Sequence, residues 1–210
     1  MKNKGLFITL EGIDGSGSTT QLGLLYNYLR AADFSVVRTR EPGGTNYSEK
    51  LREVVKSSTD RVPLAELLTF EAARADVTEK IIRPALEEGN IVLSDRYTDS
   101  SLAYQGFGRG IPLEVIQTLN KYTSRSVRPD LTLLYDLPVE DATPANRDYF
   151  EALGVEFQNR VREGYLRLAI NSYGRVKVVE RVKASSPEES IERTFEEGTM
   201  PFVRELLAKT

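Results

Sequence analysis

Gly12-Ile13-Asp14-Gly15-Ser16-Gly17-Ser18-Thr19 is the stretch on which the fold turns. It matches the phosphate-binding loop G-x-x-x-x-G-K-[ST] at every fixed position but one: Ser18 stands where the lysine belongs. That lysine is the positive charge that reaches the outer phosphates of a nucleotide. The loop alone is a weak signal, and its surroundings strengthen it. Residues 6–10, Leu-Phe-Ile-Thr-Leu, form a short apolar run of strand formers. Beyond the loop, Leu22, Leu24, Leu25, Tyr28 and Leu29 recur at helical spacing. Strand, glycine loop and helix together aim backbone amides and a helix N-terminus at an anion. Gly12, Asp14, Gly15, Ser16, Gly17, Ser18, Thr19 and Thr20 are the candidate cradle.

Composition narrows the chemistry. The 210 residues suffice for one α/β domain with a sizeable core, and one domain over residues 1–210 is expected. A net charge of −3 gives no overall basic footprint for nucleic acid. Cysteine is absent, which removes disulfides and thiolate metal sites and fits a reducing, cytoplasmic setting. Histidine is absent too, so no His triad, His metal site or imidazole base is available. What remains is carboxylates, arginines, hydroxyls, backbone amides and a metal held by oxygen. No apolar run reaches the roughly 18 residues of a membrane span, and the N-terminal residues lead into the first strand without a cleavable signal.

Strand-like runs at 6–10, 35–39, 91–94, 131–135 and 176–179 alternate with helical stretches. This pattern predicts a parallel five-stranded sheet covered by helices on both faces. Helices are expected at 64–88, with a kink or break at Pro84, and at 112–124, 149–173, 187–197 and 201–209. Gly89-Asn90 ends the first of these, and Gly198 separates the last two. In such sheets ligands sit beyond the carboxyl ends of the strands. The residues there are polar: Asp14; Arg40-Glu41-Pro42-Gly43-Gly44-Thr45; Asp95-Arg96-Tyr97; Asp136-Leu137-Pro138. Two arginines and several carboxylates on one edge suit a phosphorylated substrate and Mg²⁺.

The segments 7–15, Thr39-Arg40-Glu41-Pro42-Gly43-Gly44-Thr45, Asp95-Arg96-Tyr97, Ala103-Tyr104-Gln105-Gly106 and Arg128-Pro129-Asp130-Leu131-Thr132 resemble bacterial-type thymidylate kinase. The similarity runs from about residue 5 to residue 170 and more weakly to the end. It implies a P-loop NTPase-like fold, and transfer of the γ-phosphate of ATP to dTMP with Mg²⁺. It implies that Phe70 stacks on thymine, that Arg74 hydrogen-bonds a base carbonyl, and that Ser101 and Gln105 lie along the base edge. Arg96, with Arg40 nearby, would hold the acceptor phosphate, Asp14 the 3′-hydroxyl, and Tyr104 would crowd the 2′ position. Thr19, Glu41 and Asp95 would serve the metal. A homodimer is implied as well, with apolar positions of the helix over 64–82 as the interface.

These roles are physically sensible. A guanidinium fork suits a phosphate monoester, a flat aromatic suits a pyrimidine face, and Phe70 and Arg74 stand one helical turn apart. The chain also departs from the pattern. The cationic positions that usually serve the donor phosphates are Ser18, Gly15 and Tyr149 here, and the lid region, about 138–156, is shortened. Arg147 is the first substitute, with Arg109, Arg160, Arg162 or a second metal as others. Three readings are open: an active dTMP kinase with rearranged donor chemistry; a nucleotide-binding protein of the same fold with little kinase activity; or a kinase for another deoxynucleoside monophosphate.

Overall fold

The computed structural model describes residues 5–57, 60–142 and 153–209. Five strands, β1 (Leu6–Gly12), β2 (Val36–Arg40), β3 (Ile91–Asp95), β4 (Leu131–Asp136) and β5 (Val176–Glu180), form one sheet in the order β2-β3-β1-β4-β5. Every pairing is parallel. β1 is central, with Leu10 opposite Asp95 on one side and Gly12 opposite Tyr135 on the other. The strands therefore end together, and their terminal polar residues share one edge.

Alternation along β1 sets the two faces. Ile8 and Leu10 pack with Leu22, Leu25 and Leu29 of α1 (Ser18–Ala31) and with Met200 and Val203 of α9 (Met200–Leu207). Phe7 faces the other way, onto Val77 of α3 (Pro63–Val77), Ala85 of α4 (Arg83–Glu87) and Tyr97. Thr9 and Glu11 share that second face, although both are polar and fully buried. Thr9 pairs with Thr132 through their hydroxyls at 2.8 Å. Glu11 accepts from the Tyr97 N–H at 2.7 Å, Ser100 Oγ at 2.5 Å and Tyr165 Oη at 2.9 Å. Burial in this apolar surround, with Asp99 adding repulsion, pushes the Glu11 carboxyl up to about 8.

The helices depart from expectation in four places. α2 (Asn46–Ser57) has no counterpart in the sequence pattern; Thr45 Oγ1 accepts the Ser48 N–H at 3.1 Å and starts it. α5 (Thr98–Ser101) continues into a wide-turn segment, Leu102–Gly108, which the pattern does not signal either. A second wide-turn segment, Thr78–Ile82, precedes Pro84, so the ring enters α4 where the hydrogen-bond ladder is already displaced. Gly198 does not separate two helices. α8 (Pro187–Arg193) runs through a third wide-turn segment, Thr194–Thr199, straight into α9. Gly198 is small because a Cβ there would lie 2.8 Å from Val179 Cγ1 of β5. α6 spans Leu113–Thr123 and α7 spans Val155–Ile170, the first part of its expected range lying outside the described residues.

Candidate active site

β1 runs into the loop at Gly12, where φ is +159° and a Cβ would meet Tyr135 O at 2.8 Å. The turn closes through the Ser16 N–H to Ile13 O, 3.1 Å. Gly17, at φ +91°, precedes α1 and supplies no side-chain cap. A 14-residue helix thus opens with uncapped amides. The Ser16 hydroxyl beside them is buried and has no described hydrogen-bond partner. Uncapped amides, an orphan hydroxyl and a backbone that tolerates only glycine fit a phosphate cradle.

Two cavities meet in front of this loop. The larger, about 1410 Å³, runs along residues 13–21 and past Arg40, Asp95, Asp136 and Arg181 to Ser190 and Thr194. The smaller, about 620 Å³, is lined by Phe70, Arg74, Ser101, Tyr104, Gln105 and neighbours. Asp14, Glu41, Arg52 and Arg96 line both.

The junction is held rigidly. Arg96 sits at φ +71°, a left-handed conformation uncommon outside glycine. Its N–H reaches Leu10 O at 2.9 Å, and its carbonyl accepts from Ser94 Oγ at 2.7 Å. The guanidinium then donates to Gly12 O at 2.9 Å, Asp14 Oδ1 at 2.6 Å and Tyr104 Oη at 3.2 Å. Thr19 Oγ1 donates to Asp95 Oδ2 at 2.6 Å. Among the described residues no trio of carboxylates is grouped to hold a metal. Thr19 and Asp95 still fit Mg²⁺, which takes one or two protein oxygens and completes its shell with phosphates and water.

Glu41 is 5% exposed; its Oε2 accepts from Arg74 Nε at 2.8 Å, and its Oε1 has no described partner. Burial pushes this carboxyl up to about 7, against the pull of Arg74. Arg40 is half exposed and tied to both oxygens of Glu49, at 3.0 and 2.9 Å; it lines the larger cavity only. Arg52, which sequence reasoning missed, lines both cavities and donates to Pro42 O at 3.0 Å. Burial, with Arg40 adding like charge, lowers its affinity for its own proton. An anion placed between Arg40, Arg52 and Arg96 relieves that repulsion. The signal lies in the spacing Ser48, Arg52, Val55, because Ser48 and Val55 are the buried face of α2.

In the smaller cavity Phe70 lies partly buried at the rim of the core. Arg74 is 1% exposed, and its donors meet Glu41, Glu71 Oε1 (2.7 Å), Asn120 Oδ1 (2.6 Å) and Tyr97 O (3.1 Å). Its guanidinium is committed to protein acceptors, so contact with a base carbonyl needs a shared hydrogen. Ser101, Tyr104 and Gln105 are brought to the same wall by α5 and its wide turn.

The thymidylate kinase family model matches residues 10–195. The chain belongs to the thymidylate kinase family. A thymidylate kinase of Sulfurihydrogenibium sp. is 44% identical over 181 residues, covering 84% of this chain and 89% of the relative. One of Pseudomonas fluorescens is 45% identical over 199 residues, covering 91% and 93%. The crystal structure of thymidylate kinase from Ehrlichia chaffeensis superposes with a TM-score of 0.81 at 36% identity, over 95% of this chain and 99% of that one.

For a thymidylate kinase family member with a serine in the loop, the remaining question is where donor-side charge sits. Arg109 is not there: it donates to Glu66 Oε2 at 2.8 Å and covers the Phe157 ring. Arg160 donates to Gly108 O at 3.3 and 3.2 Å, again away from the loop. Arg162 is held by both oxygens of Asp136, at 2.6 and 2.7 Å. Arg147 and Tyr149 lie outside the described residues. Arg181, just past β5, does line the larger cavity opposite the loop helix, and Ser190 Oγ at 3.2 Å is its described side-chain partner. Sequence reasoning missed it because the apolar pattern of the fifth strand ends at Val179, two residues short.

Proposed function

We propose that this chain transfers the γ-phosphate of ATP to dTMP, giving dTDP and ADP. An oxygen of the dTMP phosphate forms the new P–O bond as the bond to the β-γ bridging oxygen breaks, and ADP leaves with that electron pair. The larger cavity holds the donor along residues 12–20, and the smaller holds the acceptor. The observation that carries the reading is their meeting at Asp14, Glu41, Arg52 and Arg96, where the two phosphates must approach.

Arg96 and Arg52, with Arg40 released from Glu49, hold the acceptor phosphate. Phe70 covers the thymine face, Tyr104 closes the 2′ side of the sugar, and Asp14 takes the 3′-hydroxyl. Mg²⁺ supplies charge neutralisation between the phosphates when bound at Thr19 and Asp95, with Glu41 Oε1 toward its waters. Arg181, and Arg147 of the lid region, compensate for Ser18. Fixed cations of this kind stabilise charge that develops on the transferred group. No described helix is long and apolar enough to cross a membrane, and the lack of cysteine supports a cytoplasmic protein. Exposed Val54, Val62, Leu64 and Leu68 support a homodimer through α2 and α3.

The test is coupled detection of ADP release with ATP, Mg²⁺ and dTMP, with dUMP, dCMP and dGMP as controls. Turnover greatest with dTMP is expected. ADP release that does not depend on any deoxynucleoside monophosphate would overturn the assignment.

A further inference from the structure

Glu66 is fully buried on α3, yet it touches neither the loop nor the phosphate junction. Four donors converge on it. Arg61 Nε and Arg109 NH2 reach Oε2 at 3.3 and 2.8 Å, and Arg109 Nε and Gln105 Nε2 reach Oε1 at 3.3 and 3.0 Å. A carboxylate only accepts, so the Gln105 amide must turn its NH₂ toward Glu66. Gln105 lines the acceptor cavity, and the amide atom that Glu66 leaves unengaged is the carbonyl Oε1. Gln105 is 2% exposed, so rotating the amide would set an oxygen against a carboxylate with no water to separate them.

We propose that Glu66 is a positioning residue for base selection: it fixes the Gln105 amide so that the cavity offers an acceptor, not a donor, to the ring-nitrogen edge of a pyrimidine. This rests on the smaller cavity holding the acceptor base. Thymine and uracil carry a hydrogen on N3, which the carbonyl accepts. Cytosine carries a lone pair on N3, which the carbonyl repels and a turned amide would satisfy. The two arginines hold the carboxylate in place, so the discrimination against cytosine is set two residues back from the base.

The experiment measures equilibrium dissociation constants of dTMP, dUMP and dCMP by calorimetry, with the full chain and with the Glu66→Gln and Gln105→Leu variants. The amide introduced by Glu66→Gln would present either an oxygen or an NH₂ to Gln105, which frees the Gln105 amide to turn. The dTMP-to-dCMP and dUMP-to-dCMP affinity ratios should each fall at least about tenfold in Glu66→Gln, with dCMP binding more tightly in absolute terms. Gln105→Leu should bring the ratios down as well, by weakening dTMP and dUMP. Equal weakening of all three nucleotides in Glu66→Gln indicates mere support of the fold and overturns the orienting role. If Glu66→Gln does not fold, Gln105→Leu decides, and retained wild-type selectivity in it overturns the proposal. A wild-type chain that binds no thymidine nucleotide overturns the cavity assignment together with this inference, whereas wild-type selectivity with unaltered variants overturns this inference alone.

Discussion

Arg96 and Asp14 lie 82 residues apart and meet at 2.6 Å, which fixes the guanidinium where the two cavities join. Arg96 is thereby oriented before any phosphate arrives, and little side-chain freedom remains to be lost on binding. We expect Arg96→Ala to weaken dTMP binding by roughly 1.5–3 kcal/mol, as for a lost charge-assisted contact. Arg96→Lys should recover only part, because an ammonium cannot reproduce the fork. Calorimetry checks both, with thermal melts confirming that each variant is folded.

Tyr104 packs under Arg96, with the guanidinium 4.9 Å from its ring centre, and is 5% exposed. Its ring cannot easily retreat. Tyr104→Ala should open space beside the sugar and narrow the preference for dTMP over its ribonucleotide analogue. Competition binding of the two nucleotides reads this directly, and an unchanged ratio would remove the steric role.

The donor side is tested by adding and removing charge. Ser18 offers one hydroxyl hydrogen and no charge. Arg181→Ala should raise KM for ATP about tenfold and leave dTMP affinity unchanged, the loss being that of one charged contact. Ser18→Lys should restore donor affinity in that background if the loop keeps its usual geometry. Arg147→Ala should instead lower kcat, by at least about 10²-fold, if its contact forms mainly in the transition state. Initial rates over an ATP series distinguish the three.

Glu11 gives the pH dependence of stability. Its folded-state pKa of about 8 lies above the usual 4.5 of an unfolded glutamate. Below pH 4.5 both states hold the proton, and the group is neutral toward stability. Between those values the folded chain keeps a proton that the unfolded chain has lost. Stability therefore falls as pH rises through that window, by about 1.4 kcal/mol per pH unit, and levels off above it. The groups facing it are Asp99, Arg96, Ser100 and Tyr165. Urea unfolding at about pH 5 to 9 should show the decline, and Glu11→Gln should flatten it.

All five strands are legible in the sequence within one or two residues, because apolar runs of strand formers bounded by polar turns leave little ambiguity. The edge on which Asp14, Arg40, Asp95 and Arg96 gather is likewise legible from strand ends alone. α2 is not: its exposed face is charged and its start depends on a threonine cap, so its apolar stripe is short. Arg52 is hidden with it. The segment over 102–108 carries two glycines that read as loop, yet packing requires them: a Cβ at Gly106 would strike Leu113 and one at Gly108 would strike Phe157. The engagement of Arg74 by four protein acceptors is a tertiary fact, since Asn120 and the Tyr97 carbonyl come from distant elements.

The wide turn that carries Tyr104 and Gln105 has an evolutionary reading. Each residue of an α-helix advances the chain by about 100° around the axis, and a wide turn accommodates one surplus residue without unwinding its neighbours. A single-codon deletion within residues 102–108 would shorten the chain by one residue and leave every contact upstream intact. It would make the wide turn an ordinary helical one and leave the downstream residues, Arg109 with its hold on Glu66 included, in nearly the same phase. The segment should therefore accept the loss of one residue more readily than a regular helix does, and natural variation in length at this wall should come one residue at a time.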